Sequence, residues 1–191
     1  MLQTKSLTLL DPRTWDDSND TFYLSEYKRR KQLHAVLAVC LSIADESYHH
    51  WRVFAGHPSG VCIRLRQGIL LDCLRQISDV TVGLMDYRPM TAARKKTLSV
   101  DEFPFVKRNA YSDEKEVRVI WQSDKQVRSQ LEIPIPMSCV GRITLSPWLP
   151  KSLVENTKGM LRDIDGCKDI EVVRSTIISS EEWKNIARKS P

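Results

Sequence analysis

The stretch Tyr111-Ser112-Asp113-Glu114-Lys115-Glu116-Val117-Arg118-Val119-Ile120 alternates charged and apolar residues from Lys115 onward. A period of two is typical of a half-buried β-strand. Side chains two positions apart on a strand share a face, so Glu114, Glu116 and Arg118 should lie together while the apolar residues between them enter a core. The stretch therefore predicts a central strand that displays two carboxylates and one guanidinium in a row.

This row of charges has two interpretations. Two carboxylates beside a hollow can perform chemistry, and we then expect Glu116 and Glu114 to overlook a cleft bordered by the end of an earlier strand. Mixed charge is also common on the solvated face of an antiparallel sheet, where it forms only a cross-strand salt bridge. The residues themselves leave both interpretations open.

The rest of the chain predicts an α+β (mixed α/β) fold, a single domain with a central, largely antiparallel sheet of six to eight strands flanked by short helices. The apolar run 35–42 reads as a buried strand, and residues 130–135 as the hairpin partner of the central strand. Further segments follow from periodicity and capping: we predict strands at 7–10, 60–66, 80–87, 141–145 and 169–173, and helices at 21–34, 45–56, 69–77, 152–164 and after Ser179.

Net charge favours an anionic partner. The 191 residues carry a formal charge of +5, with a pI near 9.0, and basic runs occur at 28–31, 94–96 and 107–108. A helical basic run is commonly a solvated face, but it can also contact phosphates. A non-catalytic module that binds nucleic acid or another partner is therefore one hypothesis, with Arg29, Arg30, Lys95 and Lys96 as the candidate contacts.

The five cysteines are odd in number, widely spaced and without a Cys-x-x-Cys pair. This usage favours a reducing compartment over a disulfide framework or a zinc ribbon. No apolar run approaches the length of a membrane span, and the N-terminus lacks a signal-peptide core. We therefore predict a cytoplasmic protein without a membrane partner.

Metal chemistry has little support in the sequence. The four histidines are not at zinc-ligand spacing, and no phosphate-binding glycine loop or nucleophile elbow occurs. Asp16, Asp17 and Asp20 are better explained as helix-capping residues than as ligands. We expect no metal, although a metal-dependent nuclease would follow if Asp16, Asp17, Glu114 and Glu116 converged.

Several short stretches carry a resemblance. They are Leu9-Leu10-Asp11-Pro12-Arg13-Thr14-Trp15-Asp16-Asp17, Cys40-Leu41-Ser42, Trp51-Arg52-Val53-Phe54-Ala55 with Gly60-Val61-Cys62-Ile63, Tyr87, and the stretch 111–120. Together they resemble a bacterial family, domain-of-unknown-function family 2971. The resemblance spans most of residues 7–146 and leaves 147–191 as a C-terminal helix–strand–helix extension.

A fainter similarity is to ADP-ribosyltransferases, which place a serine-bearing strand end before a helix and a Glu-x-Glu strand later. The strand end at Ser42 and the pair Glu114 and Glu116 look like these two parts. The resemblance implies NAD as substrate, because a carboxylate can orient the ribose while the nicotinamide bond breaks through an oxocarbenium-like state. It implies the following roles: Glu116 as the NAD-orienting carboxylate, Glu114 as the acceptor-side one, and Ser42, Trp51, Tyr111, Arg118 and Arg13 as cofactor-binding residues.

Three functions therefore remain open at this point. The first is an ADP-ribosyltransferase-like toxin or phage-defence effector that uses NAD, acts on a protein or nucleic-acid acceptor, and has an antitoxin or a defence complex as partner. The second is the non-catalytic binding module. The third is the metal-dependent nuclease.

Overall fold

A computed structural model describes residues 1–95 and 97–190 of the chain and confirms the mixed α+β class. Helices of all kinds account for 38% of the residues and strands for 28%. Contacts divide the chain into two compact units: the first comprises Met1, 6–44 and 71–135, and the second comprises 2–5, 45–70 and 136–191. The single-domain organisation stays a prediction.

The first unit contains a five-stranded antiparallel sheet. Its strands are β1 (Ser6–Leu10), β2 (Ala35–Ser42), β4 (Val80–Leu84), β7 (Glu116–Ser123) and β8 (Gln130–Pro134). They lie in the order β4-β7-β2-β1-β8. The middle strand is β2, whose unbroken apolar run is covered on both faces over its first four residues.

Strand pairing corrects one prediction. Strand β7 pairs with β2 along its whole length, from Ala35 opposite Ser123 to Ser42 opposite Glu116. Its other neighbour is β4, so no edge is left for β8. Strand β8 pairs with β1 instead, and the predicted hairpin of 130–135 with the strand that carries Glu116 is therefore wrong. The largest sheet also has five strands, fewer than the six to eight expected.

Helix α1 (Ser18–Arg30) lies against one face of this sheet. Asp17 is its N-cap and accepts hydrogen bonds from the backbone of Asn19 and Asp20, which confirms the capping prediction for this residue. Leu24 and Tyr27 of α1 pack on apolar residues of β2 and β7, with rings from the following segment around them. The helix begins three residues before the predicted start. Its first turn is polar, so the apolar periodicity used for the prediction did not extend to it.

The first unit also contains several short elements between residues 86 and 114. They are β5 (Asp86–Arg88), α4 (Met90–Ala93), the 3₁₀-helix Val100–Phe105, β6 (Val106–Arg108) and the 3₁₀-helix Asn109–Glu114. Strands β5 and β6 make a parallel two-stranded ribbon. The predicted strand 80–87 is therefore two strands, β4 and β5, with Met85 between them.

The second unit contains a three-stranded sheet of β3 (Val61–Leu65), β9 (Val140–Leu145) and β10 (Glu171–Arg174). The strands lie in the order β10-β9-β3, and β9 pairs antiparallel with β3 and parallel with β10. The helices of this unit are α2 (Tyr48–Phe54), α5 (Val154–Arg162) and α6 (Glu181–Lys189). Helix α3 (Gln67–Arg75) crosses the boundary between the two units in the sequence.

Ser180 rather than Ser179 caps α6, because its side chain accepts the backbone N–H of Trp183.

Among the described residues, no helix combines the length and the apolar character that crossing a bilayer requires.

Candidate functional site

The candidate catalytic pair lies at the start of β7, but the two residues are not on one strand. Strand β7 begins at Glu116, whereas Glu114 ends the 3₁₀-helix Asn109–Glu114. Lys115 separates them in a left-handed conformation with φ of 44°. The prediction that Glu114 shares a strand face with Glu116 and Arg118 is therefore wrong, and the Glu114 carboxylate approaches Glu116 only through the turn.

Two cations bind the pair. The Arg118 Nε donates to Glu116 Oε1 at 2.7 Å, and Lys107 Nζ donates to Glu116 Oε2 at 3.1 Å. Lys107 Nζ also donates to Glu114 Oε2 at 2.6 Å. Each carboxylate oxygen of Glu116 thus accepts a charge-assisted hydrogen bond, and such bonds are stronger than those between neutral groups.

Helix α1 adds a third carboxylate from above the sheet. Arg118 Nη2 donates to Asp20 Oδ2 at 2.7 Å, and Arg118 Nη1 donates to the Pro104 carbonyl at 3.0 Å. We call Asp20, Lys107, Glu114, Glu116 and Arg118 the charge cluster. Trp15 completes it, with its ring centroid 5.1 Å from the Arg118 guanidinium carbon.

The charge cluster is buried, which corrects the expectation of a solvated face. Arg118 exposes 0% and Glu116 3% of its surface. The face of β7 that carries them continues into Ile120, which packs under Leu24 and Tyr27 of α1. Val119 and Trp121 on the opposite face are buried as well, so both faces of β7 are covered. Lys107 and Glu114 lie at the edge of the cluster, with side chains 10% and 16% exposed.

The opposing charges decide the ionisation of the cluster. Burial alone would raise the pKa of Glu116, but the charge and hydrogen bond of Arg118, with further help from Lys107, lower that pKa below its usual range. Burial would lower the pKa of Lys107, yet Glu114 and Glu116 raise it above normal. The cluster holds three carboxylates against two cations, so its formal charges sum to minus one.

Ser42 and Tyr87 lie beside this cluster. Ser42 is the register partner of Glu116 across β2 and β7, and its hydroxyl donates to the Glu114 carbonyl at 2.6 Å. The backbone N–H of Glu116 donates to the Tyr87 hydroxyl at 2.8 Å. The predicted proximity of the serine-bearing strand end to Glu116 therefore occurs in the structure.

Tyr111 also lies beside the cluster, with Lys107 Nζ 4.7 Å from its ring centroid. The Asp17 carboxylate, to which the phenol is hydrogen-bonded, and partial burial raise the pKa of Tyr111. Tyr111 therefore covers the side of the cluster at which Lys107 approaches the surface.

Cys40 faces Arg118 across the same strand pair. Although part of the residue is exposed, desolvation of its thiol and the Glu116 carboxylate raise the pKa of Cys40 to about 12. A thiol is a good nucleophile only as the thiolate, so Cys40 is a poor one near neutral pH. All five cysteines are free thiols.

The other two candidate NAD-binding residues have separate surroundings. Trp51 belongs to the second unit, is 3% exposed, and donates from Nε1 to Glu46 at 2.6 Å. Arg13 is in the first unit, exposed, and forms a bidentate pair with Asp11. A cavity beside Arg13 measures about 30 Å³, the space of about one water, whereas ligand pockets have volumes of several hundred Å³.

The basic candidates divide into paired and unpaired residues. Arg29 and Arg30 both bind Glu26, whose pKa falls to about 2 through these hydrogen bonds. Lys95 is exposed, and like its neighbour Arg94 it makes no ion pair among residues 1–95 and 97–190. Lys96 lies outside the described residues.

The carboxylates proposed for a nuclease do not form a metal site. Asp17 caps α1, while Glu114 and Glu116 bind Lys107 and Arg118. Within the part of the chain that the structure describes, no three His, Cys, Asp or Glu residues are placed to hold an ion. The metal-dependent nuclease therefore has no geometric support.

Two members of the charge cluster were missed by sequence reasoning. Asp20 was interpreted as a capping residue and Lys107 as part of a basic run, but both point into the cluster. The helical spacing of α1 could have revealed Asp20, because it lies four residues before Leu24 on the buried face. No local signal distinguishes Lys107 from Arg108.

Comparison with known proteins finds no matching family model, no matching curated protein and no matching solved structure. The resemblances to domain-of-unknown-function family 2971 and to ADP-ribosyltransferases therefore stay predictions from short motifs.

Proposed function

We propose that the protein is a non-catalytic module that binds nucleic acid through unpaired surface cations. The observation that carries the proposal is a contrast in pairing. The carboxylates expected to do chemistry are bound by Lys107 and Arg118, whereas Arg94, Lys95 and Arg108 are exposed and have no carboxylate partner among the described residues. Unpaired cations remain available to phosphates.

These three cations belong to neighbouring elements. Arg108 ends β6 directly opposite Arg88 of β5, and α4 begins two residues after Arg88. Arg94 is the C-cap of α4, and Lys95 follows it directly. Each contact with a phosphate would release a counterion, so the binding should weaken steeply as salt is added.

The chain offers a matched control for this proposal. Arg94→Gln with Lys95→Gln removes two adjacent unpaired cations, and Arg29→Gln with Arg30→Gln removes two adjacent cations that both pair with Glu26. We expect the first double variant to reduce the slope of log affinity against log salt by about 1.4 for a single-stranded 20-mer. The second should change it by less than half as much.

Fluorescence anisotropy of a labelled oligonucleotide between 50 and 300 mM salt measures these slopes. The proposal fails if the wild-type protein binds neither single-stranded nor duplex probes at the lowest salt. It also fails if the two double variants lose affinity equally, because pairing with Glu26 would then make no difference.

NAD cleavage is a second candidate function, favoured by one observation: Ser42 is the register neighbour of Glu116. In this case Glu116 and Glu114 are the catalytic carboxylates, the acceptor is a protein or nucleic acid, and an antitoxin or defence complex is the partner. Two features weigh against it. Both oxygens of Glu116 are engaged, and the net negative charge of the cluster disfavours a diphosphate.

Loss of NAD in the presence of candidate acceptors tests this second candidate. We expect the wild-type protein and Glu116→Gln to consume NAD equally slowly, at the rate of buffer alone. Consumption by the wild type that Glu116→Gln abolishes would instead establish the transferase.

A further inference from the structure

We infer that the second unit contains a stacking site for the bases of single-stranded nucleic acid, formed by Tyr48, Arg52 and Trp148. The inference rests on the proposed nucleic-acid binding and extends it to a substrate class and a second surface. The guanidinium carbon of Arg52 lies 4.3 Å from the ring centroid of Trp148 and 5.3 Å from that of Tyr48. The two rings are 6.0 Å apart and edge-on. We call these three residues the stacking site.

Arg52 has no counter-ion in this site. Its Nε donates to the Tyr48 hydroxyl at 3.0 Å, and no carboxylate pairs with it among residues 1–95 and 97–190. The remaining guanidinium N–H groups therefore stay available to an anion. A cation held on aromatic faces beside free donors is the combination that binds a base and its phosphate together.

The backbone segments that carry the rings are held by partly buried hydrogen bonds. Helix α2, which carries Tyr48 and Arg52, is anchored by buried Trp51 through its hydrogen bond to Glu46. The turn that carries Trp148 is fixed by Arg174, whose guanidinium donates to the carbonyls of Pro147 and Leu149. The backbone N–H of Trp148 donates to Ser146 Oγ at 3.2 Å. Such support lowers the entropy lost when a base binds.

Exposure and charge agree with this assignment. Tyr48 is 44% exposed, and Arg52 and Phe54 of the same helix are exposed as well. The second unit has 13 Lys and Arg against 9 Asp and Glu, whereas the first has 16 against 15. Most of the excess positive charge of the protein therefore belongs to the unit that carries the stacking site.

Single strands should be preferred over duplexes. Bases in a duplex are stacked on one another and present only their edges, so aromatic side chains cannot reach their faces. Any base has a π-face, so we expect little sequence preference and binding of both single-stranded DNA and RNA.

The test compares a 20-nucleotide oligo-dT, an oligo-U of the same length and a 20-base-pair duplex by fluorescence anisotropy. We expect Tyr48→Leu and Trp148→Leu each to weaken single-strand binding on the order of tenfold, with an unchanged salt slope. Arg52→Gln should weaken it and also reduce the slope by about 0.7. Duplex binding should change less than twofold in all three variants.

Trp183→Leu is the matched control, because Trp183 is a 75% exposed tryptophan of the same unit. Tyr48 and Arg52 are exposed, so their variants report on binding even if Trp148→Leu perturbs the turn. If the wild type binds no nucleic acid, both this inference and the proposed function are overturned. If it binds, but the stacking-site variants behave as Trp183→Leu does, only the stacking site is overturned.

Discussion

The removal of Arg118 is the sharpest test of the charge cluster. Arg118→Met keeps an unbranched apolar stem of similar length and deletes the guanidinium. Three carboxylates then remain around one cation, Lys107, and Asp20 loses its hydrogen-bonded partner at 2.7 Å. Breaking a buried ion pair from one side leaves an uncompensated charge in a medium of low polarity.

The size of the effect follows from the burial of the guanidinium. Arg118 exposes 0% of its surface and donates to Glu116, Asp20 and the Pro104 carbonyl. Loss of one partner from a buried pair costs about 3–5 kcal/mol of unfolding free energy. For a chain of this length such a loss lowers the midpoint of thermal unfolding by roughly 10 °C.

Urea unfolding followed by tryptophan fluorescence measures this loss, with Arg142→Met as the control. Arg142 pairs with Glu171 through two hydrogen bonds of 2.7 and 2.8 Å, but both side chains are more than a third exposed. A pair of that kind contributes about 0–1 kcal/mol. If Arg118→Met cost no more than Arg142→Met, the cluster would not be the buried network described above.

A second substitution tests the cause. Asp20→Asn removes one of the carboxylates that Arg118→Met leaves uncompensated, so the two changes should not add. We expect the double variant to be about 1–2 kcal/mol more stable than the sum of the single losses predicts. Strict additivity would mean that Asp20 and Arg118 do not interact.

Two more predictions concern the first unit, and the second of them has a control variant in the second unit. The lowered pKa of Glu116 means that its contribution to stability is present above the carboxyl pKa of the unfolded chain, about 4.3, and is lost as the pH falls through the folded value. Glu116→Gln should therefore be less stable than the wild type at pH 7. The difference in unfolding free energy between the two proteins, measured by urea titration, should shrink from about pH 5 to pH 2. A difference that stays constant over this range would contradict the ion pairing. In β4, a Cβ on Gly83 would lie 2.6 Å from the ring of Phe105, so Gly83→Ala should cost about 1–3 kcal/mol. Gly159→Ala is the control, because a Cβ at this position in α5 would have nothing within 4 Å; it should raise the unfolding free energy by about 0.5–1 kcal/mol. If Gly83→Ala and Gly159→Ala changed stability equally in the same assay, the close contact between Gly83 and Phe105 would be refuted.

The charge cluster was only partly predictable, because its members come from four separate segments. The sequence placed Glu116 and Arg118 on one face of a strand, and this face is shared in the structure. The sequence could not show that α1 covers this face of β7, because the ion pair between Asp20 and Arg118 joins residues 98 positions apart. The basic run at 107–108 likewise gave no sign that Lys107 turns inward while Arg108 stays exposed.

The stacking site was missed for a similar reason. Trp51 attracted the functional interpretation because of its motif, yet it is the buried anchor of α2. The exposed neighbours Tyr48 and Arg52 acquire a shared role only because the turn after β9 brings Trp148 beside them. Helical spacing puts Tyr48 and Arg52 on one face, but nothing local places a tryptophan 96 positions later against that face.

Local pattern thus determined the elements and the class of fold. The apolar run of β2, the alternation of β7 and the cap at Asp17 depend on residues within a few positions of one another, which is the range over which backbone preference acts. Tertiary structure alone decided that β8 joins β1, that Glu116 is bound by two cations, and that Arg52 contacts two rings. Such contacts join residues far apart in the chain, and burial and opposite charge select them only when the whole sheet and its covering helix assemble.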